Sequence, residues 1–330
     1  MSAKATGKGA QASDKTYDSY QLLIEAATQV DVIETAVAHP CDESSLSAVV
    51  HAAKEGIIQP ILVGPEANIR DVANACQLDI SAYEIIDADH SHDSAGKAVG
   101  LVRSGRAEVL MKGSLHSDEI LAAVVAKQGG LRTGRRISHV FLLDVPTYPE
   151  VLAVADAAIN IQPDLDTKAD ILQNTIDLMH CLAREDPRVA ILSAVETVTA
   201  RIPSTIDAAA LCKMADRGQI TGATIDGPLA MDNAISLEAA RIKKIDSPVA
   251  GRANILLVPN LEAGNILVKQ LIFLAGAEAA GLVLGASVPI VLTSRADSHR
   301  AKMASCAVAA IYAHALRTGE PWKRPAGIKP

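Results

Sequence analysis

The stretch NILLVPNLEAGNILVKQLIFLAGAEAAG, residues 254–281, changes character part-way along. Its first six residues, 254–259, are a short apolar run of the kind that buried strands use. From Leu261 to Gly281 the pattern reads as helix, so a strand hands over directly to a helix expected across 261–281. The same alternation continues outward in both directions. Strands are expected at 32–37, 60–64, 107–111, 139–145, 189–193, 223–227 and 289–293, and helices at 45–56, 93–105, 118–128 and 166–185. This order calls for an α/β architecture with mostly parallel sheets and right-handed crossovers.

Composition agrees. Of 330 residues, 49% are hydrophobic but only 2% aromatic, so Ala, Val, Leu and Ile must fill the core, as suits parallel strands under Ala-rich helices. Scarce aromatics and a net charge of -7 argue against a nucleic-acid partner, which needs stacking platforms or a basic face. The five cysteines are scattered and odd in number, with no C-x-x-C pair, so neither a disulfide framework nor a zinc site is expected. The first 16 residues lack the apolar stretch of a signal peptide, and no apolar run is long enough for a membrane span. A soluble protein of a reducing, cytoplasmic compartment is expected.

Residues 1–18 read as a flexible leader. Turn-forming residues after Asp144 (Pro146, Thr147, Tyr148, Pro149) suggest a domain break near Val145, and glycines at 281 and 285 suggest a return. The expected division is domain I, 19–144 plus 283–330, and domain II, 145–282.

Four strand ends carry polar chemistry. Lys112-Gly113-Ser114 offers a cation, a close backbone approach and a following helix start, all suited to an anion; Ser114 or Ser117 serving only as a helix cap is the plainer alternative. Arg132, Arg135 and Arg136, hinged by Gly134, make either a phosphate clamp or a solvated basic turn. Thr293-Ser294-Arg295-Ala296-Asp297-Ser298-His299 gathers hydroxyl, cation, carboxylate and imidazole where ligands of open α/β sheets bind. There the plainer alternative has Asp297 or Ser298 capping the last helix and Arg295 pairing on the surface. Gly264-Asn265 sits early in a helix, where a glycine is costly unless something must approach it. Walker A, G-x-G-x-x-G, G-x-S-x-G and H-E-x-x-H patterns are all absent.

In this order the motifs resemble the phosphate acetyl/butyryltransferase family from about residue 30 to 318. Residues 55–64 (EGIIQPILVG) are similar to its EGI-x-x-PIL-x-G stretch, residues 259–269 to its PDL-x-x-GNI-x-x-K signature, and Ser294-Arg295 to its Ser-Arg pair. The resemblance implies a two-domain fold like that of isocitrate and isopropylmalate dehydrogenases, with the second domain inserted in the first and the active site in the cleft between them. It implies a homodimer, and the reaction acyl-CoA plus phosphate giving acyl phosphate plus CoA, by direct thiolate attack in a ternary complex, with no metal or nicotinamide cofactor. Ser294 and Arg295 would stabilise developing charge, with Asp297 or His299 handling the proton. Lys112, Ser114, Arg132, Arg135, Arg136 and Asn265 would contact substrate.

Two positions depart from the family. Its acetyltransferases carry an acid where this chain has Ala301, and the Asp of PDL is Asn260. RRISH (135–139) and SRADS (294–298) lean toward the butyryltransferase branch. Acetyl is favoured as acyl group, with butyryl or propionyl as alternatives. A non-catalytic CoA or acyl-phosphate-binding protein and a metal-dependent decarboxylating dehydrogenase are the rivals of other classes.

Overall fold

The computed structural model describes residues 19–294 and 297–322. The leader expected at 1–18 lies outside the described residues, as does Arg295.

Eleven strands form one sheet: β1 (Ile33–Ala38), β2 (Ile58–Gly64), β3 (Glu84–Asp87), β4 (Val109–Lys112), β5 (Ser138–Asp144), β6 (Leu152–Ala155), β7 (Arg188–Leu192), β8 (Thr224–Leu229), β9 (Ile255–Leu257), β10 (Glu278–Leu284) and β11 (Ile290–Val291). Their order is β3-β2-β1-β4-β11-β10-β5-β6-β9-β7-β8. The helices are α1 (Ser19–Ala27), α2 (Glu43–Lys54), α3 (Glu66–Ala75), α4 (Ser91–Arg103), α5 (Ser117–Val124), α6 (Leu165–Cys181), α7 (Pro203–Asp216), α8 (Met231–Ile235), α9 (Leu237–Ile242), α10 (Leu261–Phe273) and α11 (His299–Thr318).

Direction matters more than order. The strands β3, β2, β1, β4 and β11 run parallel to one another, as do β6, β9, β7 and β8. Between these groups β10 and β5 pair antiparallel with each other and with their outer neighbours, β11 and β6. Three consecutive antiparallel steps reverse the direction, so the two parallel groups end at opposite ends of the sheet.

Successive side chains of each strand point to opposite faces. On one face Val109, Met111, Val140, Leu142, Val189, Ile191 and Leu282 join residues of α2, α6, α7 and α11 in a single core. On the other face two separate cores form. Leu110, Ile61 and Val283 pack beneath α4 and α5, whereas Leu143, Val154, Ala190 and Leu256 pack beneath α8, α9 and α10. The paucity of aromatics is met by small side chains: Ala304, Ala307, Ala309, Ala310 and Ala313 let α11 lie in the shared core.

The helix expected over 261–281 ends at Phe273, and 278–284 is the central strand β10. Local apolar content reads alike for both. The chain turns at Gly276, whose φ of +67° suits glycine, and β10 then forms full ladders with β5 and β11. The strands β3 and β6 and several helices, α1 and α7 among them, were not expected from the pattern. No helix among the described residues is long and apolar enough to cross a membrane.

Candidate functional site

One end of the sheet gathers the ends of β1, β4 and β11. Gly113 N–H donates to the Ala38 carbonyl at 2.8 Å and Ser114 N–H to the His39 carbonyl at 2.8 Å, which pins the turn after β4 to the turn after β1. A side chain at Gly113 would place its Cβ 2.4 Å from the His39 oxygen. The glycine therefore admits a neighbouring strand end, not a ligand as the motif alone suggested. Ser114 Oγ also donates to the His39 carbonyl at 2.9 Å, and the Cys41 N–H lies 3.4 Å from that hydroxyl. His116, not Ser114 or Ser117, precedes the first turn of α5, where Glu119 accepts from its N–H at 2.7 Å.

Lys112 is 6% exposed. Its Nζ donates to the Gly113 carbonyl at 3.2 Å and reaches the Thr293 carbonyl at 3.5 Å, which ties β4 to the segment carrying Ser294. Ser294 is exposed, and its N–H donates to Asp297 Oδ2 at 2.6 Å. That bond commits one carboxylate oxygen of Asp297 to holding the turn. Ser298 caps α11, accepting from the Ala301 N–H at 3.1 Å, as the plainer reading of that motif had it. His299 stacks edge-on against His51, with ring centroids 4.6 Å apart. Burial lowers the His299 pKa below the usual imidazole value, with His51 and Lys302 adding to the effect. The Cys41 thiol is pushed up to about 11 by burial, then by Asp42, so it stays protonated.

The other expected contacts lie elsewhere. Arg132 bridges to Ala286 just before β11 begins, at the end opposite Ser294. Arg135 and Arg136 lead into Ser138, the first residue of β5, whereas the register carries Thr293 level with Leu142. Four strand steps, about 13 Å, separate Ser138 from that level. Arg135 pairs with Asp177 at 2.5 Å, and the Arg136 N–H donates to Asp170 at 2.9 Å. Asn265 donates to the Ala157 carbonyl at 3.2 Å, beside the end of β6. The expectation that Lys112, Ser294, Arg132, Arg135, Arg136 and Asn265 converge on one cleft is therefore corrected. Within one chain they divide between the two ends of the sheet: the arginines precede β5, which runs the same way as β4 and β11, and Asn265 follows β9, which runs the opposite way.

Gly264-Asn265 likewise proves to be a packing pair. A Cβ on Gly264 would meet Val258 at 2.7 Å and Ala157 at 2.9 Å, so the glycine lets α10 press on the turn after β6. Asn260 replaces the family's Asp without loss, since its amide oxygen caps α10 by accepting from the Ala263 N–H at 2.9 Å.

Reading by motif missed the polar knot at this second end. Asp156, 2% exposed, accepts from the N–H groups of Ala158, Ile159 and Asn160 and from Asn160 Nδ2 at 2.6–3.2 Å. Beside it His139 is buried against Phe141, with its pKa lowered to about 4 by burial despite the opposing charge of Asp156. Among the described residues no cluster of three His, Cys, Asp or Glu side chains could hold a metal.

A sequence profile of the family described as "Phosphate acetyl/butaryl transferase" matches residues 89–310. A phosphate acetyltransferase of Rhizobium meliloti is 63% identical over 91% of this chain and 95% of its own length. A phosphate butyryltransferase of Clostridium acetobutylicum is 42% identical over 89% of this chain and 98% of its own. Among solved structures, a branched-chain phosphotransacylase from Enterococcus faecalis V583 superposes with a TM-score of 0.76 at 29% identity, covering 86% of this chain and 99% of that one. The fold extends to a 4-hydroxythreonine-4-phosphate dehydrogenase from Klebsiella pneumoniae, 12% identical with a TM-score of 0.52 over 86% of this chain and 99% of that one, so the architecture is of dehydrogenase type. By profile, by relatives and by fold, the chain belongs to the phosphate acetyl/butyryltransferase family.

Proposed function

We propose that this chain is a phosphate acetyltransferase, exchanging acetyl-CoA and phosphate for acetyl phosphate and CoA in a ternary complex. The reading rests above all on Lys112, a buried lysine joined to the strand end that presents Ser294. In the thiolysis direction the CoA sulfur bonds to the acyl carbon, the carbon–oxygen bond to phosphate breaks, and phosphate leaves with the electron pair. The carbonyl oxygen gains charge during attack, and fixed donors in a water-poor site stabilise it. Ser294 and Arg295 carry that role by resemblance, and Lys112 neutralises the phosphate. With Asp297 engaged on Ser294 and Ala301 unable to act, His299 is our candidate for the thiol proton, because its lowered pKa keeps it neutral at pH 7. No electrons are exchanged, so the step as written needs no nicotinamide.

Acetyl is favoured over butyryl because the relative at 63% identity is named for acetyl and the butyryl-named one stands at 42%. The second reading, a CoA-binding protein without turnover, draws on the absent acid at Ala301. Incubating the purified protein with acetyl-, propionyl- or butyryl-CoA and phosphate should release free thiol, fastest with acetyl. No release from any of the three donors would discard the enzyme reading.

A two-lobed molecule, 19–144 with 283–330 against 145–282, is supported by the two separate cores on one face. A homodimer is supported by α10, which leaves Ile266, Phe273 and Leu274 66%, 73% and 82% exposed. Five free thiols suit a cytoplasmic setting.

A further inference from the structure

Three lysines of the described chain are less than a tenth exposed: Lys112, Lys168 and Lys302. Lys168, in the second half of the molecule, has the partner a buried ammonium requires, Asp207 Oδ2 at 2.6 Å. Lys302 does not. Its Nζ donates to Ser44 Oγ, and among the described residues no carboxylate lies within 4 Å of it. Of the two acids at the start of α2, Glu43 is exposed and makes no ion pair with Lys302, and Asp42 is engaged as the cap, accepting from Ser45 N–H at 2.8 Å and from its hydroxyl at 2.6 Å. The imidazole of His299, whose pKa Lys302 helps to lower, adds no negative charge.

The position is also suggestive. Lys302 lies in the first turn of α11, its N–H bonded to the carbonyl of the Ser298 cap at 3.1 Å, five residues beyond Asp297. Ser44 belongs to the first turn of α2 and is exposed, so the amine sits at the surface end of a buried stem. Three residues before Ser44, Cys41 faces Ser114 of the site. Two helix starts, each with its positive dipole end, therefore flank an ammonium that has only a neutral hydroxyl acceptor.

We propose that Lys302, steadied by Ser44, binds a phosphoryl group of the substrates. This inference rests on the acyl-transfer reading above and adds to it a residue that neither the Ser-Arg motif nor the other strand-end motifs include. The phosphoryl group is carried either by the transferable phosphate or by CoA itself, and the two sources are separable.

The test compares wild type with Lys302→Gln and Ser44→Asp, the latter leaving the lysine in place but setting a carboxylate against it. Both should raise a substrate KM about tenfold or more, the loss expected when one charge-assisted hydrogen bond goes. Lys302→Arg should recover part of it. A rise confined to phosphate assigns the transferable group, and a rise confined to acetyl-CoA assigns CoA; either supports the inference. Unchanged KM values in folded variants overturn it, as does an equal rise in both with a lowered Tm, the mark of a structural role. The Tm of each protein with and without inorganic phosphate gives a readout independent of turnover. Should wild type show no exchange at all, the enzyme reading fails by itself. Stabilisation of wild type but not Lys302→Gln by phosphate would then still uphold the site, and equal or absent stabilisation would overturn it.

Discussion

The two ends of the sheet hold polar groups of opposite sign in opposite states. At the end of β6 a buried carboxylate, Asp156, meets four donors from its own loop and faces His139. At the ends of β1, β4 and β11, buried Lys112 and Lys302 donate to two carbonyls and a hydroxyl. A buried charge that the protein itself satisfies is architecture, whereas Lys302, given only a hydroxyl among the described residues, is ready for a counter-ion. On that criterion the first is a fastening and the second a receptor, although both would look like clusters of polar residues near strand ends.

The comparison breaks most visibly at Lys112. Lys112→Met should lower kcat/KM about a thousandfold, on the order of 4 kcal/mol of transition-state stabilisation, with Tm changed little; an active variant would remove Lys112 from the receptor. Asp156→Ala should do the reverse. It strands several donors and should cost about 3 kcal/mol in chemical denaturation, with kcat/KM of the folded fraction kept. Loss of activity without loss of stability would show that the fastening is misread. The smallest effect is in pH. Burial holds the His139 pKa at about 4 against 6.5 in the unfolded chain, so the unfolded state binds the extra proton first. The associated stability is complete above pH 6.5 and drains as pH falls toward 4, by about 2 kcal/mol at pH 5. His139→Gln should flatten that part of the curve, and an unchanged acid limb would assign it to other groups.

Much of this was legible in the chain. The strand-helix alternation located eight strands to within about two residues, because strands buried on both faces, parallel or not, are continuous apolar runs. The plainer reading of Ser298 as the cap of the last helix holds, and the close approach expected at Gly264 is made by Val258 and Ala157. What escaped was non-local. Nothing in EAAGLVL distinguishes a strand from the tail of the preceding helix until its partners β5 and β11 are in place. Missing β10 meant missing the reversal of direction, and with it the separation of Asn265 from Ser294. Lys302 escaped for a related reason: one lysine in an alanine-rich helix is unremarkable until the helix is seen to bury it.

The asymmetry of the two faces bears on how the molecule can be divided. One core runs unbroken beneath both halves of the sheet while the opposite face carries two. Severing the chain between β5 and β6 would therefore strip half of that common layer from each fragment and leave raw strand edges that invite aggregation. The halves are thus joined like pages bound along a spine on one face and carry separate layers only on the other.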